Sequence, residues 1–310
     1  MKKIGVLGDS NVDMLIYLNN SDKLSDPKLY CGGTSANVAF GLAKLDNDVE
    51  FYGALGNDIH GKFIMEDMIK SHINIENLEK LESINTAMVI GIVDKEGERN
   101  LFVWPPNNAA HTKYSIKNHQ LEGIKNLDWL HVSGISLREQ PVCTSMLKAM
   151  KKCFQNNITI SFDLNLRIEL WGLNADLKKN IFEAISYSNF VLGSLNEEFE
   201  EIFDSKNLKS EISKIARKDQ VFITRDGANG SFAYKNKVEY STPAIDIVPV
   251  DTVGAGDAFN TGFIHSMING NNLVNSLQKA NAVAAYKSLG ESARHLPNRK
   301  QLDTFLSEFN

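Results

Sequence analysis

The sequence predicts an α/β fold: a mostly parallel sheet covered on both faces, with a small β appendage. Two patterns lead there. From Trp129 onward, short apolar runs of strand length alternate with longer runs of helical periodicity, as βαβ units require. Before that, Thr86–Val93 and Asn100–Trp104 flank the polar Asp94-Lys95-Glu96-Gly97 and read as a β-hairpin set apart from the alternation. The 310 residues, 43% hydrophobic and 23% charged, suffice for one large domain with its own core.

The elements follow in order. Ile4–Leu7 is an apolar run closed by Gly8-Asp9, a buried strand. Asp13–Tyr17 and Tyr30–Cys31 read as short edge pieces around the polar stretch Asn19–Lys28. After Gly32-Gly33, the residues Ala36, Val38, Ala39, Leu42, Ala43 and Leu45 share one broad helical face. Val49–Ala54 is a strand, Gly56-Asn57-Asp58 a turn and Gly61–Ser71 a helix. The alternation then runs through strands Trp129–Val132, Thr159–Phe162, Phe190–Leu192 and Val221–Thr224. Between them lie helices Thr144–Cys153, Leu177–Tyr187, Glu197–Phe203 and Leu208–Ala216. Ser231–Tyr234 and Lys237–Tyr240 form a second small hairpin, and Ala258–Asn269, Leu273–Lys287 and Arg299–Phe309 close the chain as helices.

Composition excludes several classes. With 33 Lys+Arg against 38 Asp+Glu, the net charge of −5 argues against a chain that coats nucleic acid or an anionic membrane. No apolar run approaches the roughly 18 residues of a membrane span. Asp9 and Asp13 interrupt the first apolar run too early for a secretory signal. Cys31, Cys143 and Cys153 are odd in number and lack Cys-x-x-Cys spacing, so neither disulfides nor zinc are expected and a cytoplasmic home is. His131, inside Leu130-His131-Val132-Ser133-Gly134 at a strand end, reads as a core histidine.

The strongest chemical signal is Asp251-Thr252-Val253-Gly254-Ala255-Gly256-Asp257-Ala258-Phe259, glycines set before an apolar helix. Backbone N–H groups converge there without side-chain obstruction, and the helix dipole adds positive character, which makes an anion hole. Asp257 has two readings: an N-cap, or a carboxylate that accepts a proton from a substrate hydroxyl.

These residues carry a resemblance. Val250–Phe259 resembles the C-terminal signature of the ribokinase-like (PfkB) carbohydrate kinases. Gly8-Asp9-Ser10-Asn11-Val12-Asp13 is similar to that family's first substrate loop. Gly32-Gly33-Thr34-Ser35-Ala36-Asn37-Val38-Ala39, followed by Gly56-Asn57-Asp58 and Gly61, resembles its N-terminal signature. The likeness spans essentially the whole chain. It implies a three-layer α/β/α domain over 1–310 with a mostly parallel central sheet. It also implies a β lid from about 13–31 and 86–104 that closes over the substrate and makes a homodimer contact.

The resemblance further implies residue roles. Asp257 would be the catalytic base, and Gly254, Ala255 and Gly256 the anion hole. Asp13, Gly33 and Asn37 would bind sugar hydroxyls, and Arg99 the substrate. Asp163-Leu164-Asn165-Leu166-Arg167 resembles an Asp-x-Asn-x-Arg stretch of the fructokinase and 2-keto-3-deoxygluconate kinase branches. There Arg167 would orient a phosphate or anionic group, the alternative being a salt bridge to Asp163 or Glu169. Thr224-Arg225-Asp226-Gly227-Ala228-Asn229-Gly230 resembles the nucleotide loop with one residue in excess, assigning Thr224, Gly227 and Gly230, together with Gly254 and Gly256, to the nucleotide. Asn281 would pass the adenine. Leu195-Asn196-Glu197-Glu198-Phe199-Glu200 departs from the family's Asn-x-x-Glu motif, and helical phase selects Glu198 as the acid near magnesium-bound waters. A potassium-like ion is expected beside Asp251.

The leading functional reading is an ATP- and magnesium-dependent sugar kinase. It would transfer the γ-phosphoryl group to a hydroxyl, expected to be primary, of a ketohexose, 2-keto-3-deoxygluconate or ribose. A sugar acid would need a cation such as Arg99, Arg138 or Arg167. Phe102-Val103-Trp104, in place of a tyrosine-rich lid, weighs against one. The alternatives are a nucleoside kinase of the same family and a sugar sensor without catalysis. A nicotinamide-dependent dehydrogenase is disfavoured, because Gly5-Val6-Leu7-Gly8-Asp9-Ser10 lacks the third glycine and Asp9 would repel a pyrophosphate.

Overall fold

The computed structural model describes residues 2–18, 24–93, 99–106 and 108–308, without the side chains of Val93 and Arg99. The turn of the predicted lid hairpin and the substrate role of Arg99 therefore lie outside the described residues.

In chain order the strands and helices are β1 (Lys3–Leu7), β2 (Asn11–Tyr17), β3 (Lys28–Gly32), α1 (Thr34–Lys44), β4 (Asp48–Gly56), α2 (Ile59–Lys70), β5 (Leu78–Leu81), β6 (Ala87–Val93) and β7 (Arg99–Trp104). Next come α3 (Asn118–Gly123), β8 (Trp129–Ser133), α4 (Val142–Gln155), β9 (Thr159–Asp163), α5 (Ile168–Trp171), α6 (Ala175–Tyr187) and β10 (Phe190–Ser194). The chain ends with α7 (Glu200–Phe203), α8 (Leu208–Ile215), β11 (Val221–Arg225), β12 (Ser231–Lys235), β13 (Val238–Thr242), α9 (Ala255–Ile268), α10 (Leu273–Ser288) and α11 (Arg299–Glu308).

The strands form a nine-stranded sheet in the order β13-β12-β11-β10-β9-β8-β1-β4-β5. It is parallel except for β12 and β13, which pair antiparallel at one edge. Strands buried on both faces need continuous apolar runs, and Ile4, Val6 and Leu7 of β1 are fully buried. One face packs against α4 and α6 through Leu7, Met146, Met150, Phe162 and Ile181. The other packs against α1 and α9 through Ile4, Val6, Val38, Phe51 and Ile264. His131 sits in this core, fully enclosed, where Ser161 Oγ lies 2.8 Å from both its Nδ1 and the indole Nε1 of Trp129. Burial pushes its pKa down to about 4.

A separate four-stranded sheet has the order β3-β2-β6-β7, with β2 and β6 parallel and the outer pairs antiparallel. The pieces expected as short edges are thus two complete strands. β5, α3 and α5 are additions the sequence reading lacked; each is too short to show a periodicity. Helix α9 starts at Ala255, earlier than the expected Ala258, so Asp257 lies inside its first turn.

The sheet reverses its winding at β1, which pairs with β4 on one side and β8 on the other. Open α/β sheets bind ligands outside such a switch point. Here Asp9, just past β1, caps α1 from outside the helix. Its carboxylate accepts Thr34 N–H at 2.9 Å and Ser35 N–H at 3.1 Å. The helix's own N-cap, Gly33, has φ 97° and cannot cap with a side chain. A Cβ on Gly33 would lie 2.7 Å from Ser10 Cα and 2.9 Å from Asp9 O, so only glycine fits both the conformation and the space. Gly33→Ala is expected to cost about 2–4 kcal/mol from backbone strain and displaced neighbours, read as a fall in the urea midpoint.

Candidate active site

The long sequence separation between the two glycine motifs closes in space. Asn37, in the first turn of α1, donates from Nδ2 to Asp257 Oδ2 at 2.8 Å. Gly254 is the N-cap of α9 with φ 75°, and Asp257 follows as the third helical residue, so Asp257 is not the N-cap. A Cβ on Gly254 would lie 2.5 Å from Ala293 Cβ. The first N–H groups of a helix find no carbonyl one turn earlier and are available to an anion. Ala255 departs from its expected role: its N–H turns back to Thr252 O at 3.1 Å. Gly256 and Asp257 supply the next backbone donors at the helix start.

Burial and the nearby carboxylates Asp163 and Asp9 raise the pKa of Asp257 to about 7, against the lowering by the Asn37 hydrogen bond and the charge of Arg167. Asp13, on β2, has a pKa raised to about 6 by burial and by Asp9, although Asn11 Nδ2 donates to its Oδ1 at 2.6 Å and Arg167 opposes the shift. A Cβ on Gly32 would fall 2.1 Å from Asp13 Oδ2, so the glycine before Gly33 makes room for this carboxylate.

The Asp163-x-Asn165-x-Arg167 stretch sends its side chains three ways. Asp163 accepts Arg225 Nη2 at 2.7 Å and Asn260 Nδ2 at 2.8 Å. Asn165 donates to Thr34 Oγ1 at 2.8 Å and Ser133 Oγ at 3.2 Å. Arg167, left-handed at φ 49°, is exposed and only within 4.0 Å of Glu169. Its charge reaches both Asp13 and Asp257.

Arg225, to which the sequence assigns no role beyond lying in a stretch with one residue in excess between Thr224 and Gly227, is a functional-site residue. It also donates from Nη1 to Asn260 Oδ1 at 2.9 Å and to Gly256 O at 3.3 Å, directly behind the anion hole. Its guanidinium lies 3.6 Å from Glu198 Oε2. Glu198 faces inward as helical phase requires, while Asn196 and Glu197 are exposed. Its carboxylate already accepts Leu166 N–H at 2.8 Å and Ser194 N–H at 2.7 Å. With a guanidinium beside it, these bonds hold Glu198 in place and leave part of the carboxylate's acceptor capacity free. Among the described residues no cluster of His, Cys, Asp and Glu is arranged to hold a metal.

The nucleotide loop is redistributed in the same way. Gly227 (φ 51°) has open space where a Cβ would stand, whereas at Gly230 (φ 94°) a Cβ would strike Thr242 O at 2.2 Å. Thr224, in β11, is fully buried and its hydroxyl has no hydrogen-bond partner. Asn281, expected at the adenine, is buried and commits its amide to Thr242 Oγ1 at 3.0 Å and Pro243 O at 2.8 Å. At Asp251, where potassium was expected, the Lys287 ammonium stands 2.5 Å from the backbone oxygen and 3.8 Å from Oδ2.

Comparison with known proteins gives the family. A model of the family described as pfkB family carbohydrate kinase matches residues 1–299. The chain belongs to the pfkB family of carbohydrate kinases. It is a phosphotransferase, an ATP-dependent sugar kinase. A fructokinase of Vibrio alginolyticus is 30% identical over 99% of this chain and 100% of its own length. The aminoimidazole riboside kinase of Salmonella typhimurium is 27% identical over 99% and 96%. A fructokinase double mutant from Vibrio cholerae, solved in a form with fructose, ADP and potassium ion bound, superposes with a TM-score of 0.84 at 23% identity, covering 99% of this chain and 98% of that one. No helix among the described residues is long and apolar enough to cross a membrane.

Two outcomes follow for Asp257. Asp257→Asn keeps a partner for Asn37 but removes the carboxylate, so with Asp257 in the role of base that its motif implies, kcat should fall by about 10²–10⁴-fold. A folded-state pKa above the unfolded value gives stability that is lost as pH rises through about 7. The amide carries no such penalty, so at about pH 8 the variant should melt higher than the wild type in a thermal scan. Arg225→Met leaves Asp163 and Glu198 buried without their cation and should cost about 3–5 kcal/mol in urea unfolding.

Proposed function

We propose that this kinase phosphorylates a small neutral sugar, a ketohexose before ribose or a sugar acid, at a primary hydroxyl. The observation that carries the reading is a set of buried, unpartnered polar atoms beside a carboxylate poised near neutrality. Ser10 Oγ, Ser35 Oγ, Ser136 Oγ, Asn37 Oδ1 and His111 Nδ1 are buried without hydrogen-bond partners. The Ser35 and Ser136 hydroxyls both face Gly8. Each orphaned group costs about 1–3 kcal/mol, which a sugar hydroxyl in place would relieve.

Beside them is a cavity of about 470 Å³ between the two sheets, lined by Asp9, Asn11, Val89, Val103, His111 and Arg138 among others. It stops short of Asp257. Arg138 is the cation a carboxylate substrate would seek. It already donates to Leu166 O and to Gly172 O at 3.0 Å and lies over Trp171. Its commitment to carbonyls supports a neutral sugar over 2-keto-3-deoxygluconate.

In this reading Asn37 orients Asp257 and the substrate hydroxyl together. Asp257 takes the proton as the oxygen attacks the γ-phosphorus in line, and the N-terminus of α9 stabilises the charge on the transferred group. ATP enters with magnesium on its phosphates. The four-stranded sheet, which supplies one wall of the cavity, acts as the lid that excludes water.

The exposed apolar side chains of that sheet, Leu29, Leu101, Phe102 and Trp104, support a homodimer through it. Sedimentation velocity should show a dimer that Phe102→Glu converts to monomer; a wild-type monomer removes this contact from the proposal. For the reaction, ADP release is measured with fructose, ribose, 2-keto-3-deoxygluconate and nucleosides as acceptors. Fructose is expected to lead in kcat/KM by about tenfold or more, some 1.4 kcal/mol. Preference for the keto acid overturns the neutral-sugar reading, and preference for a nucleoside overturns the sugar.

A further inference from the structure

We propose that Lys287 is a built-in monovalent cation that holds the Asp251 loop in its working shape, so that this kinase neither binds nor responds to potassium there. The place is made of oxygen. The Asp251 carbonyl and carboxylate meet the C-terminal end of α10, where the helix dipole favours positive charge. Such a collection of carboxylate and carbonyl oxygens would suit a hard cation in another protein. Here it is filled by the chain itself. Lys287 lies in the last turn of α10, its side chain has no exposure, and its ammonium donates to Asp251 O at 2.5 Å. The same ammonium is 3.8 Å from Asp251 Oδ2. A second cation does not fit, because it would be both crowded and repelled by a fixed charge that water does not screen.

The loop around this ammonium has few other freedoms. Val250 N–H and Asp251 N–H both donate to Ser288 O, at 2.8 and 3.2 Å. Asp251 Oδ1 accepts Val253 N–H at 2.8 Å and Oδ2 accepts Ser292 N–H at 2.9 Å. The carboxylate thus ties its own loop to the segment after α10, and the ammonium neutralises it. Three residues past Asp251 stands Gly254, the N-cap of the helix that carries Asp257. A cation at Asp251 acts on catalysis only by fixing where that helix begins, so Lys287 is a positioning residue. An ammonium tethered to a helix does this at any external salt.

The test separates this idea from the choice of sugar, because its main readout needs no substrate. Melting temperature is compared in about 100 mM potassium chloride and in about 100 mM tetramethylammonium chloride, a cation too large for the site. The wild type should melt at the same temperature in both; a potassium-specific rise of several degrees overturns the proposal. Lys287→Ala should melt lower in tetramethylammonium and regain part of the loss in potassium or ammonium chloride. A folded variant that melts like the wild type, or that no small cation restores, also overturns it. Should Lys287→Ala fail to fold, the wild-type comparison still decides. With whichever acceptor proves active, potassium should change wild-type kcat by less than about twofold, while Lys287→Ala should lose about tenfold in kcat with sugar KM little changed.

Discussion

The half-buried guanidinium of Arg225 is the contact on which the start of α9 rests. It joins the ends of two adjacent-but-one strands, β9 and β11, to the first turns of α9 through Asp163, Asn260 and the Gly256 carbonyl. A charge so enclosed is tolerated only with full pairing. Two carboxylates face it, Asp163 in direct contact and Glu198 somewhat farther away. Burial and the Asp163 charge raise the Glu198 pKa, against the pull of Arg225. The cluster therefore fixes three elements relative to one another, and Gly256 in the first turn of α9 is positioned by the same guanidinium that neutralises the sheet edge.

A second anchor does the same on the opposite side of the crevice. Asp9 leaves β1 and caps α1, so the helix bearing Asn37 is registered to the central strand rather than to its own preceding residue. Asn37 and Asp257 then meet because each rides on a helix whose start is fixed by a side chain from elsewhere. This explains why the glycines are needed: at Gly33 and Gly254 the backbone turns into a helix at positive φ, in space already filled by neighbours.

The alternating core was legible because strands buried on both faces carry short apolar runs, as Ile4–Leu7 of β1 does, whereas β8 and β9 interleave their apolar residues with His131 and Ser161. The glycine-led runs around Gly33 and Gly254 were legible for a similar reason, since few other residues adopt those conformations. Commitments of polar side chains were not. Asn281 and Glu198 have the right chemistry for ligands, yet both make internal hydrogen bonds, and only the position of a distant carbonyl or N–H reveals it. Arg225 was hidden by the opposite error, because an arginine beside Asp-Gly looks like a solvated turn. Its partners Asp163 and Asn260 are far away in the chain. Helical phase does put Glu198 on the buried side of its helix, since it depends on local geometry alone.

The bond between Asn37 and Asp257 spans 220 residues. Such a contact is among the most non-local the chain makes, and loop closure of that size is entropically expensive and slow. On the ribosome the N-terminal signature emerges long before the helix that completes it. During that interval Asn37 has no carboxylate to meet, and the apolar face of α1 that packs on α9 stays uncovered. The catalytic pair is thus assembled last, so a nascent chain has no competent site until almost all of it has been made.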